Sequence, residues 1–327
     1  MGAADEAMAD RRSTRPRWVT DGGLETDLIF HHGVDLPGFA AYPLLGTPLG
    51  RALLAQYYAG FAQVASRAGA GLLLETPTWR ANPDWVESLG GSRSDVRRIN
   101  LESVLFLAGL AEVLVADGIA PRGPGGFDGS GQGPDVRICG VIGPRGDGYL
   151  PGDRTSAEEF GDYHAAQIAA FAQSGAARVT AYTLTTVAEA VGVVQAGRSH
   201  GIAIAVSFTV ETDGRLPDGT PLGEAIGALR QQAPPDDLLL NCAHPSHIAA
   251  ALTPDDAWAA HVTGLRVNAS RQSHAELDDA AELDEGDIAD LVSEHEKLAS
   301  HFPRLDIIGG CCGTDARHVA ALWGVQA

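Results

Sequence analysis

The sequence predicts an α/β fold, a single (β/α)8 TIM barrel carrying a Gly/Pro-rich insert. Three observations lead there. Eight short, almost continuously apolar runs recur along the chain, and continuous runs mark strands buried on both faces, as in parallel sheets. Helical segments separate them, which implies repeated βα units. Cysteines, carboxylates and amides collect where apolar runs end, and in a barrel those C-terminal strand ends build the active site. A doubly wound open sheet is the competing arrangement. At 327 residues the chain is long for one domain, but a single barrel commonly fills about 250 residues, with insertions beyond that.

The elements are justified in order. Trp18-Val19-Thr20 is the first apolar run and ends in Asp21-Gly22-Gly23. Leu49, Leu53, Leu54, Tyr57, Phe61 and Val64 give a helical period over 48–68, closed by Gly69. Gly71-Leu72-Leu73-Leu74 is the second strand and runs into Glu75-Thr76-Pro77-Thr78-Trp79. Ser94-Asp95 suits a cap for a helix over 95–117. Residues 120–135 are a low-complexity glycine/proline stretch that cannot bury a core, so a surface loop is expected. Val136 to Ile142 is the third strand, and Thr155-Ser156-Ala157-Glu158 resembles a capping box opening a helix to about Ser174. Arg178 to Tyr182 and Ile202 to Phe208 are strands four and five, with a helix over 186–199 between them. A helix over 221–232 precedes Leu238-Leu239-Leu240-Asn241-Cys242, the sixth strand; Leu265 to Asn268 is the seventh. An acidic helix over 285–301 leads to Leu305-Asp306-Ile307-Ile308, the eighth.

Composition narrows the function classes. A net charge of −19 argues against nucleic acid and against anionic membrane surfaces as partners. Four cysteines, two of them adjacent, do not make a disulfide scaffold. They fit a reducing, cytoplasmic setting and metal or catalytic work. Arg11, Arg12, Arg15 and Arg17 are followed by no apolar signal region, so residues 1–16 are expected to be a disordered tail and 17–327 one domain. No apolar run approaches the ~20 residues of a membrane span.

The stretch with the most chemistry is Ile307-Ile308-Gly309-Gly310-Cys311-Cys312-Gly313-Thr314-Asp315. Neighbouring side chains on a strand point to opposite faces, so both thiols reach one metal only if the backbone kinks. Gly309, Gly310 and Gly313 offer that freedom. Cys242 waits at the end of another apolar run. Three thiolates at two strand ends suit a tetrahedral zinc with an open fourth position. The alternatives are a vicinal disulfide or packed core thiols. Cys139 lies inside a strand and reads as a small buried hydrophobe.

With these residues in view, the chain resembles the homocysteine S-methyltransferase family from about residue 18 to 323, outside the glycine-rich insert. Asp21-Gly22-Gly23-Leu24-Glu25-Thr26, Asn241-Cys242 and Gly309-Gly310-Cys311-Cys312-Gly313 carry the likeness. The resemblance implies that Cys242, Cys311 and Cys312 bind zinc, which holds the acceptor thiol as thiolate. That thiolate then takes a methyl group from a sulfonium or quaternary ammonium donor. With homocysteine as acceptor, the product is methionine. It also implies that Asp21, with the Gly22 and Gly23 backbone, holds the amino-acid part of the acceptor.

There is one departure. The family usually ends strand four in a glutamate that meets the acceptor's ammonium group, and here Thr180-Ala181-Tyr182 has no carboxylate. Tyr182 is the match for a tyrosine that fills the empty zinc position in some members. Asp21 remains for the ammonium, and Glu75 is a candidate replacement.

Other rim residues follow as substrate-binding candidates. They are Glu75, Thr76, Asn241, Asn268 and Trp79, the last by cation–π attraction to a methylated cation. His244 and His247 could compete as ligands, and Glu211, Asp213 and Asp218 read as a solvated loop. A non-catalytic zinc or thiol sensor on the same barrel is the alternative from another class. A zinc hydrolase barrel is more distant, since no His-x-His follows strand one.

Overall fold

The computed structural model describes residues 18–121, 135–149, 155–253 and 256–327. The expected tail at 1–16 lies outside these residues, as does all of the 120–135 insert except Ala120, Pro121 and Asp135.

Eight parallel strands close into a barrel in sequence order. They are β1 (Trp18–Val19), β2 (Gly71–Glu75), β3 (Val136–Ile142), β4 (Arg178–Leu184), β5 (Ile204–Phe208), β6 (Asp237–Asn241), β7 (Gly264–Val267) and β8 (Ile307–Gly310). Closure is made by β1, where Trp18 pairs with Gly71 on one side and with Ile307 on the other. The long outer helices are α2 (Pro48–Ala68), α4 (Arg93–Ala116), α5 (Ala157–Ala172), α6 (Val187–His200), α7 (Leu222–Gln232) and α10 (Ile288–Ala299). Five short helices complete the numbering: α1 (Leu24–Phe30), α3 (Pro83–Ser88), α8 (Pro245–Ala250), α9 (His274–Asp278) and α11 (Ala316–Leu322).

Helix starts follow side-chain capping. Ser92, not Ser94, caps α4, and Asp95 reaches back to the Ser92 amide at 3.0 Å. Ser156 and Glu159 form the box at α5, one residue beyond the predicted pair. By length and composition alone α4 passes as long and apolar enough to cross a bilayer, although Glu102 and Glu112 interrupt it and no uninterrupted apolar run in it nears that length. It packs on the barrel instead, with Val96, Val104, Leu107 and Leu114 buried.

The two-residue period of the strands sorts their side chains. On β2, Leu72 and Leu74 join the helix-facing core, whereas Leu73 joins the cluster inside the barrel. By the same parity Glu75 faces inward. On β4, Val179 and Ala181 face the helices, and Tyr182 faces the interior with Cys139, Val141, Ala205, Leu239 and Ile307. On β6 and β7, Leu238, Leu240, Leu265 and Val267 face outward, which leaves Asn241 and Arg266 to the interior. Packing is close: a Cβ at Gly140 would lie 2.4 Å from the Phe171 ring, which is fully buried. Polar residues of the barrel's upper interior are therefore set by strand parity, and the site is built on them.

Candidate active site

The three thiols converge at the ends of β6 and β8. Cys242, Cys311 and Cys312 place their Sγ atoms within 4.8 Å of one another, and Cys242 Sγ lies 3.5 Å from Cys312 Sγ. Two thiolates on one tetrahedral zinc are about 3.8 Å apart, given Zn–S near 2.3 Å. Donor type and spacing therefore fit a metal held by three cysteines. Cys139 stands apart, buried in β3. Hydrogen bonds from the Cys311 and Cys312 thiols draw the Cys242 thiol well below its usual range and, reciprocally, hold Cys312 above it.

Backbone geometry makes the convergence. Cys242 itself adopts φ +57°, a left-handed conformation that costs a non-glycine residue on the order of 1–3 kcal/mol. Of the three glycines expected to free the Cys311–Cys312 turn, only Gly313 has positive φ, at +76°. Gly310 answers to close approach instead, since a Cβ there would lie 1.9 Å from Thr314 Oγ1. Asn241 links the strands: its side chain pairs with the Thr183 amide and hydroxyl, both at 2.9 Å, and accepts from Ser207 at 2.7 Å. Its Nδ2 lies 3.8 Å from Cys311 Sγ.

Below the thiols runs a buried chain of alternating charge. Arg266 Nη2 donates to Asp21 at 2.5 Å and to the Gly22 carbonyl at 2.9 Å, and its Nε donates to Gly310 O. The same guanidinium lies over the Tyr182 ring at 4.5 Å. Tyr182 OH donates to Glu75 at 3.1 Å; Arg178 lies 3.8 Å from Glu75 and pairs with Asp237 at 3.0 Å. Burial raises the Asp21 carboxyl despite Arg266, and pushes Glu75 up to about 7 against the pull of Arg178 and Arg266.

A cleft opens onto these groups. Of the residues named from sequence, it brings together Asp21, Gly22, Gly23, Glu75, Thr76, Trp79, Tyr182, Asn241 and the three cysteines. Asn268 is buried but not part of this wall. His244 bonds Ser246 at 2.8 Å and His247 bonds the Arg271 carbonyl at 3.0 Å, so neither joins the thiols. Trp79 lines the cleft, but the Arg80 guanidinium covers its ring at 4.1 Å and is flanked by Trp85 at 3.9 Å.

Tyr182 does not reach the thiols, since its hydroxyl is engaged by Glu75. The tyrosine that does is Tyr149, whose hydroxyl lies 3.1 Å from Cys242 Sγ and 3.9 Å from Cys312 Sγ. Its ring stacks on His274 at 4.1 Å. His274 sits between the Cys242 carbonyl at 2.6 Å and Glu211 at 3.0 Å. Burial lowers this imidazole, but its bonds to Cys242 and Glu211 prevail and raise it to about 10. Glu211 thus belongs to the site's support and not to a merely solvated loop. Glu25, half-buried in the first turn of α1, also lines the cleft, and burial pushes its carboxyl up to about 7. Arg266 was legible as a charge inside an apolar strand; Tyr149 and His274 sit in loop and short-helix sequence with no periodic signal.

The closed barrel thus carries at its C-terminal rim a cysteine cluster able to hold a metal, facing a carboxylate-lined cleft. The homocysteine S-methyltransferase family model matches residues 18–324. The chain belongs to that family and is a methyltransferase. Its fold is similar to that of the homocysteine methyltransferase MmuM from Escherichia coli. In the metallated form the TM-score is 0.72 at 21% identity, covering 97% of this chain and 99% of that one. In the oxidized form it is 0.68 at 22% identity, covering 96% and 97%. The apo form gives 0.64 at 20%, covering 96% and 97%. No curated protein is significantly similar in sequence.

Proposed function

We propose that the enzyme is a zinc-dependent methyltransferase moving a methyl group from a sulfonium or quaternary ammonium donor to homocysteine, giving methionine. The observation that carries this reading is the three-thiol cluster facing a cleft with buried carboxylates. Cys242, Cys311 and Cys312 would hold the metal. When bound, zinc supplies a Lewis acid that keeps a thiol, ordinarily of pKa near 8.5, as its thiolate at neutral pH.

The chain's own residues do the remaining work. Asn241 and the left-handed Cys242 backbone hold two thiols in place, and His274 offers positive charge beside a group of thiolates. Asp21, fixed by Arg266, lines the part of the cleft that takes the amino-acid end of the acceptor, while the Gly22 and Gly23 amides, expected to bind it, donate instead to the Tyr57 hydroxyl and the Thr314 carbonyl. Tyr149 covers the thiols until an acceptor sulfur displaces its hydroxyl. The acceptor sulfur then attacks the methyl carbon in line: the S–C bond forms as the donor's C–S or C–N bond breaks, and the donor leaves as a neutral thioether or tertiary amine. Positioning and exclusion of water dominate such a step, because charge is consumed and no proton moves. The free thiols of this chain fit a reducing, cytoplasmic setting.

The test is zinc analysis together with methyl transfer from S-methylmethionine and glycine betaine to homocysteine. One zinc per chain and methionine formation from one donor are expected. Metal-loaded protein that methylates no thiol from either donor would overturn the reading.

A further inference from the structure

We propose that Glu25 is the carboxylate that reads the ammonium group of the acceptor, taking the place of the glutamate that strand four lacks. This assignment rests on the cleft being the acceptor site. Three carboxylates border that cleft, and two are already committed. Asp21 is paired with Arg266 and accepts from Tyr57 at 3.3 Å. Glu75 accepts from Tyr182 and has Arg178 at 3.8 Å. Among the described residues, no cationic side chain forms an ion pair with Glu25 and no side chain donates a hydrogen bond to it.

Its place in the chain sets its reach. Glu25 lies between two residues that touch the cysteine turn. A Cβ at Gly23 would lie 2.7 Å from the Cys311 carbonyl, and Thr26 Oγ1 accepts from the Gly313 amide at 3.2 Å. The first turn of α1 is therefore clamped to the loop that carries two thiols. An acceptor whose sulfur sits at the thiols and whose ammonium lies a few bonds away finds Glu25 on the near wall. Its own backbone amide donates to the Glu25 carboxylate, but a half-buried carboxylate with no cationic partner is still expensive, and an incoming ammonium supplies one.

The experiment compares kcat/KM for L-homocysteine and for 4-sulfanylbutanoate, the same thiol acid without the amino group, with S-methylmethionine as donor. A charged hydrogen bond corresponds to about ten- to a hundredfold discrimination. The wild type is expected to favour homocysteine by that factor, and Glu25→Gln to bring the ratio within about threefold while zinc content is kept. Transfer to both thiols with an unchanged ratio in Glu25→Gln, or loss of the ratio in Glu75→Gln alone, would remove Glu25 from the role. Should Glu25→Gln fail to fold, Glu25→Ser is read in the same way. A wild-type ratio below threefold overturns the assignment whatever the variants do. Transfer to neither thiol from S-methylmethionine or glycine betaine would instead overturn the acceptor reading, and this assignment with it.

Discussion

Tyr149 and Cys242, 93 residues apart, meet at 3.1 Å between hydroxyl and sulfur, with the Tyr149 ring stacked on the imidazole beneath. The contact puts a weak donor where an acceptor sulfur would have to come. Tyr149→Phe keeps the stacking and removes only the hydroxyl. A neutral hydrogen bond contributes about 0.5–1.5 kcal/mol, so KM for the thiol should fall by roughly two- to tenfold with kcat little changed. Steady-state kinetics check this; a raised KM would show that Tyr149 binds the acceptor and does not compete with it.

The thiol cluster gives a metal prediction. Cys242→Ser, Cys311→Ser and Cys312→Ser should each lose more zinc affinity than the about 10–100-fold that follows loss of an outer hydrogen-bond partner. Asn241→Leu, which removes the amide beside Cys311, should fall within that range. Cys139→Ala should keep its metal, being buried in β3. Competition with a chromophoric chelator measures all five. Unchanged affinity in Cys242→Ser would dismiss the site.

Asp21 and Arg266 form a buried ion pair with both side chains under 10% exposed. Removing one partner of such a pair strands a charge and costs about 3–5 kcal/mol. Arg266→Met should therefore lower the urea midpoint strongly. Asp21→Asn combined with Arg266→Met should recover part of the loss, since neither charge is then left alone. A double variant no more stable than the single one would mean that Arg266 acts chiefly through the Gly22 and Gly310 carbonyls.

Glu75 predicts a pH dependence. Burial raises its folded pKa from 4.5 to about 7, so the folded state holds the proton more tightly than the unfolded chain. Its contribution is fully present below about pH 4.5 and is lost as pH rises to about 7. The shift corresponds to a few kcal/mol, on the order of 3, across that window. Glu75→Gln should flatten stability between about pH 5 and about pH 7.5, measured by urea unfolding at each pH. An unaltered slope would place the titration elsewhere.

Much of this protein was legible without its structure. The apolar runs located all eight strands, because a buried parallel strand leaves a continuous local signature. The strand ends carried Glu75, Tyr182 and Asn241 to the rim, and the Cys311–Cys312 pair with Cys242 marked it as a thiol site. The short helices α1, α3, α8, α9 and α11 were missed. At five to seven residues they span under two turns, too few to display a 3.6-residue period.

What the tertiary structure alone decided is which rim side chains meet. That Tyr149 and not Tyr182 faces the thiols, that Glu211 supports His274, and that Glu25 is left facing the cleft while Asp21 and Glu75 are paired all depend on contacts across the barrel. Periodicity is a property of neighbouring residues and survives in the sequence. The convergence of loops from different strands depends on barrel closure, on the left-handed turn at Cys242 and on the clamp between α1 and the cysteine loop, and none of these has a local signature.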